Sequence, residues 1–258
     1  MARSVFRDRL PCLELDMPIT NAAAGTNVHE IADGVYRINT PVNTVPGGFS
    51  FNQYLIVDDQ PLLFHTGPRK MFDLVREAVA SVIPVSHLRF IALSHFEADE
   101  CGSLNEWLAV APQSIPLCSR VAAMVSVNDF ADRPAHAMAD GAELVLGTRS
   151  VKWLDAPHLP HGWETGFLMD TRTRTLFCGD LFTQGGTGTA ALTREDILEN
   201  SEAFRKPMDY FSHSTNTGQL IEHLACELPD TLACMHGSAW NGDGANLLRA
   251  LGERLVGS

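Results

Sequence analysis

The sequence predicts an α/β sandwich: two mixed β-sheets facing each other, with helices packed outside them. Three observations carry that expectation. The chain has 258 residues, 45% of them hydrophobic and 19% charged. That suits one well-cored domain without low-complexity interruptions. Two hairpin patterns echo each other: Tyr54–Val57, a turn, Pro61–Phe64 and His65-Thr66-Gly67 are matched by Gly166–Met169, a turn, Thr175–Phe177 and Cys178-Gly179-Asp180. Each β-rich half is followed by helical sequence, as expected when two related sheets bury one face against each other.

The elements follow in order. Short β-rich runs occupy Val35–Asn39, Tyr54–Val57 and Pro61–Phe64. A helix is predicted over Arg69–Val82, where Phe72, Val75, Val79 and Val82 share one face. A buried strand at Phe90–Leu93 ends in the polar run Ser94–Gly102. Further strands are expected at Ile115–Cys118, Glu143–Leu146, Val151–Leu154, Gly166–Asp170 and Thr175–Cys178. A helix is expected from near Thr193, with Asp196 completing a capping box. Another covers Gln219–Glu227, a last strand runs Thr231–Met235, and a final amphipathic helix carries Leu247, Leu248, Leu251 and Leu255. Residues 1–28 read as an N-terminal extension and 29–258 as the domain.

Charge and cysteine content narrow the function classes. Lys and Arg number 19 against 31 Asp and Glu, a net charge of −12, which leaves no basic stripe for nucleic acid. The N-terminus lacks a signal-peptide core, and no segment reaches the roughly 20 apolar residues of a membrane span. The six cysteines Cys12, Cys101, Cys118, Cys178, Cys226 and Cys234 have no zinc-ribbon spacing and read as reduced, mostly buried thiols. A cytoplasmic location is expected.

The chemistry concentrates in Ser94-His95-Phe96-Glu97-Ala98-Asp99-Glu100-Cys101-Gly102. An apolar strand stops, and alternating His95, Glu97 and Asp99 follow, able to converge from an extended or tightly looped segment. Acidic turns after strands are common, but three other segments repeat the theme. His161 follows a strand beside Gly162, Asp180 closes a strand beside Gly179, and His236 closes the last strand beside Gly237. Glycine at each place lets the backbone turn sharply. Imidazole and carboxylate groups delivered from four strand ends point to a metal site.

These segments resemble the metallo-β-lactamase superfamily, and within it the di-iron domain of flavodiiron proteins and their flavodoxin-free relatives, the oxygen-binding di-iron proteins. The resemblance runs from about Val35 to Leu255 and includes the Asn52–Thr66 hairpin and Trp163-Glu164-Thr165. It implies an αββα sandwich in which His95, Glu97 and His161 bind a first iron, Asp99 and His236 a second, and Asp180 bridges them. Zinc hydrolases of this fold usually carry histidine at the position of Glu97. Added carboxylates favour harder, higher-valent ions, so two irons are expected rather than zinc. Where much of the family has histidine after the aspartate, this chain has Glu100, which either ligates the second iron or points away.

The resemblance further implies binding of dioxygen, and of nitric oxide as an alternative, in an oxygen reductase or an oxygen sensor; an oxidoreductase is favoured. A zinc-dependent hydrolase of a thioester, lactone or β-lactam is the competing reading. The flavodiiron relatives carry an FMN-binding flavodoxin domain after the di-iron domain, whereas this sequence stops at Ser258. No FMN is therefore expected in this chain, and electrons are expected from a separate flavodoxin- or rubredoxin-like donor, or oxidation is passed to a signalling partner. A homodimer is expected by resemblance alone.

Other residues have smaller expected roles. His65 and His158 are expected to support the ligands from behind by hydrogen bonding; His29, His87, His136, His213 and His223 are read as structural or surface residues. Gly185-Gly186-Thr187-Gly188 lacks a P-loop ending and reads as a loop beside the site. Cys101 is read as packing rather than redox-active. Phe96, Trp163, Phe182 and Trp240 could keep the pocket dry, with core packing the default reading for each.

Overall fold

A computed structural model describes residues 19–256 of the chain; Cys12 and most of the expected N-terminal extension lie outside them. The first sheet has eight strands in sequence order: β1 (Ile19–Asn21), β2 (Thr26–Ala32), β3 (Val35–Val42), β4 (Phe49–Ile56), β5 (Leu62–Phe64), β6 (Phe90–Ala92), β7 (Ile115–Ser119) and β8 (His136–Met138). Pairing is antiparallel from β1 to β5 and parallel from β5 to β8. The helices α1 (Phe72–Ala80), α2 (Ala98–Cys101) and α3 (Leu104–Val110) fall between β5 and β7. After β7, α4 (Arg120–Ala122) and α5 (Asn128–Phe130) flank a π-helical stretch at Ala123–Val127.

The second sheet contains β9 (Glu143–Val145), β10 (Ser150–Asp155), β11 (Gly166–Asp170), β12 (Thr175–Phe177), β13 (Leu192–Thr193), β14 (Thr231–Ala233) and β15 (Ala239–Asn241) in the order β13-β15-β14-β12-β11-β10-β9. The helices α6 (Leu198–Met208), α7 (Thr217–Ala225) and α8 (Gly244–Val256) complete the chain.

Strand alternation explains the layers, because successive side chains point to opposite faces. On β5, Leu62 and Phe64 join Tyr54, Trp153 and Phe177 between the sheets, whereas Leu63 packs outward with Val75 and Val79 of α1 and Trp107 of α3. The second sheet's outer face packs Phe167 and Leu232 against Leu198, Ile221, Leu224, Leu248 and Leu251 of α6–α8. The result is the expected αββα sandwich of two mixed sheets. The two similar hairpins are β4–β5 and β11–β12, one per sheet, and each second strand then pairs in parallel with a later strand.

Several expectations need correction. The boundary at residue 28 falls inside β2, whose residues on both sides of it pair with β3. No helix begins near Thr193: Leu192 and Thr193 pair with β15. Asp196 caps the helix itself, its Oδ1 accepting from the backbone N–H groups of Leu198 (2.7 Å) and Glu199 (3.3 Å), so α6 starts five residues later. Among the described residues no helix is long and apolar enough to cross a membrane.

Candidate metal centre

The polar ends of β6, β10, β12 and β14 meet at one edge of the sandwich. His95 follows β6 directly. Glu97 continues extended (φ −131°, ψ 169°), and the single turn α2 then places Asp99 and Glu100. This corrects the expected alternation of His95, Glu97 and Asp99, since the later acids come from a helical turn. Gly102 closes that turn, where a Cβ would lie 2.2 Å from the Ala98 carbonyl.

Asp180 organises the cluster. Its Oδ2 lies 3.5 Å from His95 Nε2 and 3.4 Å from His161 Nε2, while its Oδ1 lies 3.4 Å from His236 Nε2. The two carboxylate oxygens thus face different histidine sets, as a bridging ligand requires. Asp99 Oδ2 joins the second set at 3.5 Å from His236 Nε2. Glu97 joins the first, its Oε1 at 3.1 Å from His161 Nε2, although its side chain stands at the mouth and is 51% exposed. The structure therefore brings together all six expected ligands and the buried Glu100.

Hydrogen bonds orient the imidazoles. His161 Nδ1 donates to the Tyr210 carbonyl (3.0 Å) and His236 Nδ1 to the Ser50 carbonyl (2.9 Å), so each Nε2 presents its lone pair to the cluster. His95 Nδ1 lies 2.9 Å from Ser94 Oγ, which lies 2.9 Å from His65 Nε2. His65 Nε2 also accepts the Ser94 backbone N–H at 3.3 Å. The consistent assignment has the Ser94 hydroxyl donating to His65 and accepting from His95, which leaves His95 Nε2 facing inward. His65 thus backs a ligand, as expected, through a serine that the sequence reading did not single out.

Electrostatics follow from this crowding. Burial raises the Asp180 pKa, but His236, His95 and His161 outweigh it and hold the carboxyl well below its ordinary range. Burial drives His65 well below 6.5 and keeps it neutral. Burial, and then the carboxylates of Asp180 and Asp99, pushes Glu100 well above the usual range.

The donor set fits a pair of metal ions. The Nε2 atoms of His95 and His161 are 3.1 Å apart, so two lone pairs converge where only a proton or a cation can lie between them. His95, His161 and Glu97 offer ligand atoms within 4.8 Å of one another, and two imidazoles with one carboxylate form a donor set typical of non-haem iron. Neither oxygen of Glu100 nor Oδ1 of Asp180 has a hydrogen-bond partner although all are buried, a pattern that a bound ion explains.

Above the cluster lies a cavity of about 300 Å³ walled by Val45, Phe49, Phe204, Met208 and Tyr210. Phe49 stacks on Phe204 at 5.4 Å and tilts over His236 at 4.4 Å. These residues, and not the four aromatic candidates, wall the cavity. Trp163 is exposed, Phe182 is buried in the core of the second sheet's outer face, Phe96 packs edge-on to Phe130, and Trp240 donates to the Glu195 carbonyl. His158 does not support His161: it is exposed, its backbone N–H donates to Gly162, and the Tyr210 carbonyl takes the supporting place. The glycine loop lies against another turn, Gly186 N–H donating to the Gly48 carbonyl at 2.9 Å. Burial pushes the Cys101 thiol up to about 12, and its Sγ donates to the Glu97 carbonyl, as suits a packing residue.

Comparison with known proteins places the fold. A family model described as ODP family beta lactamase matches residues 49–237. The anaerobic nitric oxide reductase flavorubredoxin of Pectobacterium carotovorum subsp. carotovorum (strain PC1) is 25% identical over 238 residues, covering 86% of this chain and 46% of that relative. The chain thus spans about half the length of the curated relatives it matches. Rubredoxin oxygen:oxidoreductase of Desulfovibrio gigas shares the fold with a TM-score of 0.77 at 19% identity, over 90% of this chain and 61% of that one. The flavodiiron protein of Giardia intestinalis does so with a TM-score of 0.74 at 19% identity, over 89% and 59%.

Proposed function

The chain belongs to the ODP beta-lactamase family, and on that footing we propose that it is a non-haem di-iron protein that binds dioxygen or nitric oxide and reduces it with electrons from a separate donor. The single observation behind this reading is the division of Asp180, with Oδ2 turned to His95 and His161 and Oδ1 to His236. His95, His161 and Glu97 would hold one ion, His236 and Asp99 the other, and Asp180 both.

Two irons held there would supply electrons and positive charge for reducing the gas. The protein's own contribution is positioning and exclusion of water. The carbonyls of Tyr210 and Ser50 fix two imidazoles, and the His65–Ser94 pair fixes the third. Phe49, Phe204, Met208 and Val45 make a largely apolar approach wide enough for a diatomic molecule and poor for charged substrates. Glu97, at the mouth, adds a carboxylate where a nitrogen-rich hydrolytic centre would carry imidazole. That donor set speaks for iron over a zinc hydrolase.

The test is metal analysis of protein produced with iron and zinc both available, followed by anaerobic reduction and exposure to dioxygen or nitric oxide. Two irons per chain and gas consumption that continues with an added donor support the proposal. Oxidation that stops after one equivalent makes the protein a sensor, and two zincs with hydrolytic turnover contradict the reading.

A further inference from the structure

The six ligands leave one buried acid of the centre without a task. Glu100 is 0% exposed, and neither of its carboxylate oxygens has a hydrogen-bond partner. Such a group loses its hydration with nothing in return, which burdens the fold unless something absent from the chain itself satisfies it. Its place is also fixed. The Glu100 carbonyl accepts the Thr66 N–H at 2.7 Å, and Gly102 N–H donates to the Ala98 carbonyl at 2.9 Å, so the backbone of α2 cannot turn outward without breaking both.

The surroundings of the carboxylate belong to both halves of the centre. Glu100 Oε2 lies 3.9 Å from His95 Nε2. His95, Glu100 and Asp180 place ligand atoms within 4.8 Å of one another, and Glu97, Asp99 and Glu100 do the same. His95 and Glu97 face the first subsite, Asp99 faces the second, and Asp180 faces both.

We propose that Glu100 is a second carboxylate bridge, holding both metal ions alongside Asp180. The inference rests on the two-metal reading above and assigns Glu100 a place that histidine at this position could not take, because a neutral imidazole offers one lone pair and a carboxylate offers two oxygens. Charge agrees: Glu97, Asp99, Glu100 and Asp180 bring four negative charges, which two divalent ions neutralise.

The experiment compares the full chain with Glu100→Gln and Glu100→Met. Each is loaded anaerobically with ferrous ion, and metal stoichiometry and affinity are read by competition with a chelator; the melting temperature of each metal-free form is measured beside them. In Glu100→Gln both ions should bind at least about tenfold more weakly than in wild type. Metal-free Glu100→Met should melt higher than metal-free wild type, because a buried, unpaired acid gives way to an apolar side chain of similar size. Loss of one ion with the other at wild-type affinity would make Glu100 a terminal ligand and overturn the bridge. Wild-type affinity for both ions, or a lower melting temperature for metal-free Glu100→Met, would overturn it as well. If wild type prefers zinc, the iron reading fails while the same comparison run with zinc still decides the bridge.

Discussion

Glu97 Oε1 lies 3.1 Å from His161 Nε2, so in the metal-free protein a carboxylate and a proton occupy the space where an ion would bind. Burial lowers the His161 pKa, but the Glu97 hydrogen bond and the Asp180 charge more than offset it and hold it above 6.5. Burial likewise opposes, and Asp180 overcomes it to raise, the pKa of His236.

A pH prediction follows from those signs. His161 and His236, with raised folded pKa values, stabilise fully below the unfolded value of about 6.5 and lose that contribution as pH rises through their folded values. His65, with a lowered value, stabilises fully above about 6.5 and loses its contribution as pH falls. Above about pH 6.5 the metal-free protein should therefore lose melting temperature as pH rises, and the raised pKa of Glu100 acts in the same direction. Metal requires deprotonated Nε2, so the loaded protein should instead gain stability as pH rises past neutral. Melting curves across pH with and without chelator check this; a metal-free optimum at clearly alkaline pH would contradict the pairing.

Asp180→Asn should lose at least one metal ion while keeping the fold. The amide has one oxygen and no charge, so it cannot serve both histidine sets. Metal content and circular dichroism are the readouts, and full occupancy by two irons would remove the bridging assignment.

Ser94→Ala cuts the link between His65 and His95. It leaves the buried His95 Nδ1 unpaired, while His65 Nε2 keeps only the backbone N–H of residue 94, and the expected loss of stability is about 1–3 kcal/mol. Metal affinity should fall about 10–100-fold, because His95 is no longer held in one tautomer. Urea unfolding and chelator competition measure the two effects, and an unchanged affinity would show that the relay orients nothing.

Gly237→Ala tests the turn behind His236. Gly237 has φ +88°, and a Cβ there would lie 2.6 Å from Gln184 Cβ. The backbone conformation alone should cost about 1–2 kcal/mol, and the clash should displace His236 and weaken the ion it shares with Asp99. Denaturant unfolding and metal stoichiometry provide the check; wild-type values in both would mean that the turn relaxes freely.

Much of this site is legible in the sequence because its ligands sit where apolar runs end. His95 after Phe90–Leu93, Asp180 after Thr175–Cys178 and His236 after Thr231–Met235 each mark a polar residue that a buried strand delivers to its edge. The partners behind those ligands carry no such mark. His161 is held by the carbonyl of Tyr210, 49 positions away, and His236 by that of Ser50, 186 positions away. A backbone carbonyl is the same at every residue, so only folding selects which one does the work. The apolar wall is hidden from the sequence for a related reason: Phe96 and Trp163 are near the ligands in sequence, whereas Phe49 and Phe204 are near them in space.

The sequence by itself determined the sandwich, through strand alternation and helix periodicity, and it determined which imidazoles and carboxylates gather at its edge. Only the tertiary structure decided which nitrogen each histidine presents, how Asp180 divides its oxygens, and that Glu100 turns inward with nothing to satisfy it. The first set depends on burial patterns written locally along the chain. The second depends on distances of a few ångströms between segments far apart in that chain, which packing alone fixes.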